Sequence, residues 1–429
     1  MYKERFADKI IEEKLKYTGA LEIRGPKWCG KSTTAMQHSK SNVFMQDLNE
    51  KDKNVELAKN APSKFLEGPT PRLIDEWQEI AFIKDQIRYE VDKRNKMGQF
   101  ILTGSASPVD EDSYSHSGIG RISPMIMRTM SLYESGDSNG GVSISKLFSQ
   151  DIKLDVTCDK NLEDYAYLIC RGGWPGIFNV NKKYELKLAG NFLDGLVNED
   201  INKVFKNKKN PDRLEKVMRA YSRGIGSQMS LEKMTADIKE NEGIQIDAKT
   251  VSSYINALKK IYVIEELKSW NQNLRSSTAL RTTDTRYFVD PSIATATLKI
   301  SPEDLINDMK TFGFMFESMC IRDLRSYADL LDGDVFHYRD RNNLEVDAII
   351  HLKNGDWGAI EIKLRSTDGI EEGSSNLLKL KALCMAKKMR PPKFMMVLTA
   401  GEYAVKRQDG IYVVPLASLE PWINSYLKW

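Results

Sequence analysis

The chain is 429 residues long, which at roughly 100–200 residues per domain predicts two to four domains. Its 63 Lys+Arg and 60 Asp+Glu nearly cancel to +3, which excludes a chain that is basic or acidic throughout. A hydrophobic content of 41%, with 7 Trp, 17 Tyr and 15 Phe, supplies real cores and argues against disorder.

The N-terminus, MYKERFADKIIEEKLK, is charged and lacks a leader's apolar core. No apolar run approaches the roughly 18 residues of a membrane span. The five cysteines are scattered without a CxxC pair and read as reduced thiols, and the four histidines show no ligand spacing. A cytoplasmic protein with no membrane partner is expected.

Residues 1–150 alternate strands with helical stretches: ALEIRG (20–25), NVFMQDL (42–48), PRLIDE (71–76) and QFILTGS (99–105). That order predicts a parallel sheet covered on both faces. The first strand runs into GPKWCGKS, a complete G-x-x-x-x-G-K-[ST], and a helix leaves it. Gly25 and Gly30 let the backbone curl, and the N–H groups of Pro26's successors Lys27, Trp28 and Cys29 face the phosphates of ATP. Lys31 reaches the β- and γ-oxygens, the Ser32 hydroxyl ligates Mg²⁺, and Thr33 opens the helix.

The third strand ends in Asp75 and Glu76. Asp75 is expected to hold the Mg²⁺ through water, and Glu76 to orient and deprotonate the attacking water. The fourth ends in Thr103 and Ser105, polar groups suited to sensing the γ-phosphate. Arg121 and Arg128 are candidates for the arginine that stabilises the transferred phosphoryl group, either of which could equally pair with a surface carboxylate. Residues 105–120 and 134–143 read as loops, 155–205 as helical.

Residues 210–270 predict three helices and a following strand pair, the outline of a winged helix-turn-helix, with Ser230 and Asp247 as N-caps. The third helix would present Lys249, Thr250, Ser252 and Ser253 to DNA while Val251, Ile255 and Leu258 pack inward. Arg275, Arg281 and Arg286 of the wing, and the cluster Lys203, Lys206, Lys208 and Lys209, would meet phosphates. The same module also serves as a docking surface in other settings.

From about 313 the pattern becomes helix (314–331), strands 334–340, 344–352 and 357–364, helix 371–388, and strands 393–399 and 411–416. Glu361 and Lys363 share a strand face, with Ile360 and Ile362 on the other. Asp347 on a neighbouring strand, Glu361, and Glu317 in the first helix make a candidate Mg²⁺ or Mn²⁺ site, with Lys363 beside it to position or activate water.

Taken together, GPKWCGKS, LIDEWQE, ILTGS, GIGRI with MSLYESGDSNG, YLICRGGWPG, YFVDPSIA and FGFMFE…EVDAII…AIEIKL resemble, in order, the prokaryotic AAA-type P-loop ATPases with a C-terminal domain of unknown function. The resemblance implies an α/β multidomain chain: a P-loop core over 1–150, a helical lid over 151–208, a winged helix over 209–300 and a PD-(D/E)XK nuclease-like domain over 301–429. It favours Arg121 over Arg128, places RGGWPG in the lid, and carries no role onto Gly176. It also puts Glu317, Asp347, Glu361 and Lys363 on nuclease site positions, with Lys379 and Lys381 where a Gln or Tyr is frequent. Its implied function is an ATP-hydrolysing, DNA-binding protein, with ATP turnover tied to a homo-oligomer through the arginine. The alternative is an ATP-driven protein-interaction switch whose nuclease-like domain only docks.

Overall fold

The computed structural model describes residues 2–106, 120–149, 152–200, 210–270 and 283–421, without the side chains of 199 and 200. The chain divides into two compact units. The first is Met1–Thr129, Asp194–Pro211 and Tyr254–Val263; the second is the remainder.

The first unit holds α1 (Phe6–Tyr17), β1 (Ala20–Arg24), α2 (Lys31–His38), β2 (Ser41–Phe44), α3 (Lys51–Asn60), β3 (Arg72–Asp75), α4 (Ile83–Arg94), β4 (Phe100–Gly104) and β5 (Ile122–Ile126). The five strands form one sheet in the order β2-β3-β4-β1-β5, and every pair is parallel. Strands buried on both faces need apolar residues at both parities, and FILTG is buried throughout. Leu21, Ile23, Leu73 and Ile101 pack on one face with Ile11 and Ala35; Ala20, Ile74, Phe100 and Leu102 pack on the other with Trp77, Ile83 and Ile87. Strand β5 escapes sequence reading because ISPMI, interrupted by Pro124, has no clean period.

The second unit contains β6 (Val142–Ser143), β7 (Val156–Thr157), α5 (Leu162–Arg171), α6 (Lys187–Gly195), α7 (Pro211–Arg223), α8 (Leu231–Glu242), the first part of α9 (Ala248–Lys260), α10 (Pro291–Leu298) and α11 (Met309–Leu330). Strands β8 (Gly333–Arg339), β9 (Glu345–Leu352) and β10 (Trp357–Lys363) follow, then α12 (Thr367–Ala386), β11 (Met395–Thr399), β12 (Tyr403–Lys406), β13 (Tyr412–Pro415) and β14 (Leu419–Glu420). Seven strands make a mixed sheet, β7-β12-β13-β11-β10-β9-β8, and β14 pairs with β6. Helix α12 covers one sheet face, where Leu377 and Leu380 meet Trp357, Ala359 and Val397.

Two stretches differ from the sequence reading. Residues 130–149, expected in the P-loop core, group with the second unit. There the Leu132 N–H donates to Asp323 at 2.9 Å, the Ser138 hydroxyl to the Leu419 carbonyl at 2.7 Å, and β6 pairs with β14. Within the stretch expected to be helical over 155–205, the described residues 155–200 are helical only in pieces, because Gly172-Gly173-Trp174-Pro175 ends α5. Gly173 leaves no room for a side chain, since a Cβ there would lie 2.1 Å from the Met130 carbonyl oxygen.

Candidate functional site

The loop between β1 and α2 is shaped by its two glycines. Gly25 has φ +155° and lies so close to the backbone after β5 that a Cβ would meet the Met127 carbonyl oxygen at 2.1 Å. Gly30 has φ +99° and starts α2. Trp28, also left-handed at φ +65°, is 54% exposed beside them. Arg5 braces the loop, donating to the Cys29 carbonyl at 2.8 Å and to the Arg128 carbonyl at 2.9 Å. Lys31, buried at the base, donates to the carbonyls of Gly25 at 2.9 Å and Pro26 at 2.7 Å.

Strand order brings the polar ends together. With β4 between β1 and β3, the Ser32 hydroxyl and the Thr103 hydroxyl both donate to Asp75 Oδ1 at 2.5 Å. Glu76 follows in left-handed backbone (φ +56°), and its Oε2 accepts from the Ser105 hydroxyl at 3.1 Å and from the Gln78 amide. Hydroxyl and carboxylate oxygens beside a lysine are hard donors that fit Mg²⁺, which keeps water and phosphate oxygens as its other ligands.

Arg121 stands apart from this cluster. It precedes β5, its carbonyl accepts from Ala20 N–H at the start of β1, and its guanidinium pairs with Asp92 at 2.9 Å. In a parallel sheet that is the edge opposite the loop that follows β1, so Arg121 does not face the nucleotide loop of its own chain. Arg128 lies on the loop's side, its carbonyl tied through Arg5.

In the second unit, the β9–β10 register runs to Ile360↔Ala348, and there the Asp347 carboxylate accepts from the Ile362 N–H at 2.7 Å. Lys363 reaches Glu361 at 3.1 Å and Asp347 at 4.0 Å. Both strand faces are covered. Ile360 and Ile362 are buried as expected, and so is Glu361 (1% exposed), against Gly373 of α12. Burial first, and then the Asp347 carboxylate, push Glu361 up to about 9 and Glu317 up to about 8. Burial likewise raises Asp347, while its two carboxylate neighbours push Lys363 above its ordinary value against the effect of burial.

Asp347 and Glu361 come together around the Lys363 ammonium, as their strand positions predict. Among the described residues no group of three His, Cys, Asp or Glu side chains is placed to hold a metal ion. The Lys363 ammonium supplies the positive charge between Glu361 and Asp347, and Glu317 is taken up by the Tyr287 hydroxyl. Lys379 is exposed and Asn376, one turn earlier on α12, is the residue that donates to Glu361, at 3.5 Å.

Comparison with known proteins separates the chain into three segments. Residues 18–135 match the family model of an AAA domain. This segment is similar to an AAA domain and carries the phosphate-binding loop. Residues 162–304 and 312–419 match two further families, each described as a domain of unknown function (DUF8612 and DUF4143). No curated protein matches the chain. Among solved structures, the chain is similar to a Walker-type ATPase of Pyrococcus abyssi, at 16% identity over 68% of this chain and 94% of that one, with a TM-score of 0.41. No helix among the described residues is long and apolar enough to cross a membrane.

Outside the ATPase domain, several motifs are structural. Arg322 of α11 is buried between Asp290 (3.1 Å) and Asp323 (2.8 Å). Asp290 also accepts from the Gly173 N–H at 3.0 Å and caps α10. Thus MSLYES, RGGWPG and VDPS converge on one buried ion group, and RGGWPG, expected in a lid, belongs to the second unit's core. Arg286, expected to contact phosphate, is buried against Glu266 and the Met229 carbonyl. Arg275, Arg281, Lys203, Lys206, Lys208 and Lys209 lie outside the described residues. Tyr287, Asn376 and Gln78 escaped sequence reading, since a polar residue's partner is set by packing between distant segments.

Proposed function

We propose that the chain binds and hydrolyses Mg²⁺-ATP and couples turnover to DNA. The observation that carries the ATPase part is the convergence of Ser32 and Thr103 on one oxygen of Asp75, with Glu76 next in sequence. In this reading the backbone N–H groups of residues 27–32 and Lys31 hold the β- and γ-phosphates, Lys31 exchanging its two loop carbonyls for phosphate oxygens. Ser32 and Asp75 would hold Mg²⁺, which neutralises charge developing on the phosphates. Glu76 takes the proton of the attacking water. Lys31→Ala is expected to abolish nucleotide binding. Glu76→Gln should bind ATP yet turn it over about 10²–10⁴-fold more slowly, and equal turnover in Glu76→Gln and wild type would remove Glu76 from this role.

DNA contact is assigned to α9. Asp247 caps it through the Thr250 N–H and hydroxyl, Val251, Ile255 and Leu258 are buried, and Lys249 is exposed. Binding should fall steeply with salt, and Lys249→Ala should reduce the slope by about one. ATP hydrolysis measured with and without DNA tests the coupling; identical rates refute it. Arg121, exposed at the far sheet edge, could serve only a neighbouring copy's nucleotide, so it predicts concentration-dependent turnover.

A second reading concerns the C-terminal domain. The burial of Glu361 and its pairing with Lys363 favour a non-catalytic docking module over a nuclease. Metal-dependent DNA cleavage by wild type that is lost in Asp347→Ala and Lys363→Ala would overturn this.

A further inference from the structure

We propose that Gln78 is the positioning residue for Glu76, holding one carboxylate oxygen so that the other is aimed at the attacking water; this rests on the role of Glu76 proposed above. Gln78 lies two residues after Glu76, in the 3₁₀ turn Trp77–Ile80 that follows β3. Its amide N–H donates to Glu76 Oε2, the same oxygen that the Ser105 hydroxyl reaches at 3.1 Å. Both donors therefore converge on Oε2 and leave Oε1 as the proton acceptor.

The surroundings of the Gln78 amide decide between its two orientations. Its carbonyl oxygen is buried and finds no hydrogen-bond partner among the described residues. An unsatisfied buried acceptor is costly, and rotating the amide to relieve it would aim that oxygen at the Glu76 carboxylate. The space it occupies exists because residue 104 is glycine. A Cβ there would lie 2.8 Å from the Gln78 carbonyl oxygen and 3.2 Å from Trp77 Nε1. Gly104 is the last residue of β4 and its φ is not in the left-handed region, so alanine is conformationally acceptable there. A methyl group at 104 acts by displacing the Gln78 amide. Sensor strand and catalytic turn are thus linked sterically as well as through Ser105.

The left-handed backbone of Glu76 makes this restraint necessary. A glutamate at φ +56° leaves the strand direction abruptly, so its side-chain direction is set by the turn that follows and by the groups that bond it there. Positioning to within a fraction of an ångström separates an effective base from a poor one.

The test is steady-state ATP hydrolysis by the full chain. Gln78→Ala should lower kcat roughly ten- to hundredfold, as expected for a lost hydrogen bond to a charged group, with KM for ATP unchanged. Gly104→Ala should reproduce that split. Gln78→Glu should move the acidic limb of the kcat–pH profile to higher pH, because a second carboxylate beside Glu76 favours proton uptake. The double variant Glu76→Gln/Gln78→Ala should be no slower than Glu76→Gln alone, because the two residues act as a unit. Wild-type kcat in Gln78→Ala while Glu76→Gln is slow would overturn the role of Gln78 and leave that of Glu76 standing. So would additive losses in the double variant. Wild-type turnover in Glu76→Gln would instead strike the base assignment itself. If Gln78→Ala loses ATP affinity through misfolding, Gly104→Ala and the Gln78→Glu pH profile decide the matter.

Discussion

Replacing Glu361 with glutamine should weaken the pH dependence of stability in the C-terminal sheet. In the folded protein burial holds Glu361 up at about 9 and Glu317 at about 8, whereas an unfolded glutamate titrates near 4.3. The folded state therefore keeps protons that the unfolded state has released, and stability falls as pH rises. Each group contributes about 1.4 kcal/mol per pH unit until its folded pKa is reached. Across about pH 6.5–7.5 both groups act in the same direction, so stability of this sheet falls as pH rises. Burial lowers His337 to about 4, so the unfolded state binds its proton first and this group gives a smaller slope of opposite sign near pH 6.5.

Glu361→Gln leaves Glu317 as the larger remaining contributor, with a slope of about 1.4 kcal/mol per pH unit. The assay is hydrogen exchange of the β9 and β10 amides across that window, corrected for the intrinsic exchange rate. Protection that stays level or rises with pH in wild type would refute the argument, as would an identical slope in Glu361→Gln.

Other substitutions probe separate parts of the chain. Thr103→Val removes one of two hydroxyls on Asp75 without changing shape, and ATP turnover should fall by about 1.5–3 kcal/mol in barrier terms while equilibrium ATP binding persists. Arg322→Leu strands Asp290 and Asp323 in the core and should cost about 3–5 kcal/mol in urea unfolding of the second unit, with ATP affinity unaltered. Arg121→Ala should leave single-chain nucleotide affinity unchanged, because its guanidinium reaches Asp92 and not the phosphate loop.

The phosphate loop was legible without coordinates because its chemistry is local. Gly25, Gly30, Lys31 and Ser32 act through backbone curvature and a helix start within eight residues, and strand period alone placed Asp75 and Thr103 at strand ends. The C-terminal strands were legible for the same reason, and β9 and β10 run within one residue of the expected limits at each end.

What sequence could not carry was the partner of each polar side chain. E-x-K on a strand states that Glu361 and Lys363 share a face; only the packing of α12 shows that Glu361 is buried there, with Lys363 beside it and burial raising its pKa. Sequence named Arg121 as an arginine to be supplied in trans; only the parallel strand order shows that it lies at the end away from its own chain's phosphate loop. RGGWPG and MSLYES looked like parts of a lid and an ATPase core, and the buried ion group around Arg322, far later in the chain, joins them to the second unit. Charge balance behaved likewise. The +3 total follows from composition, but burial and pairing decide which charges meet solvent, because desolvation acts on three-dimensional neighbours and not on sequence neighbours.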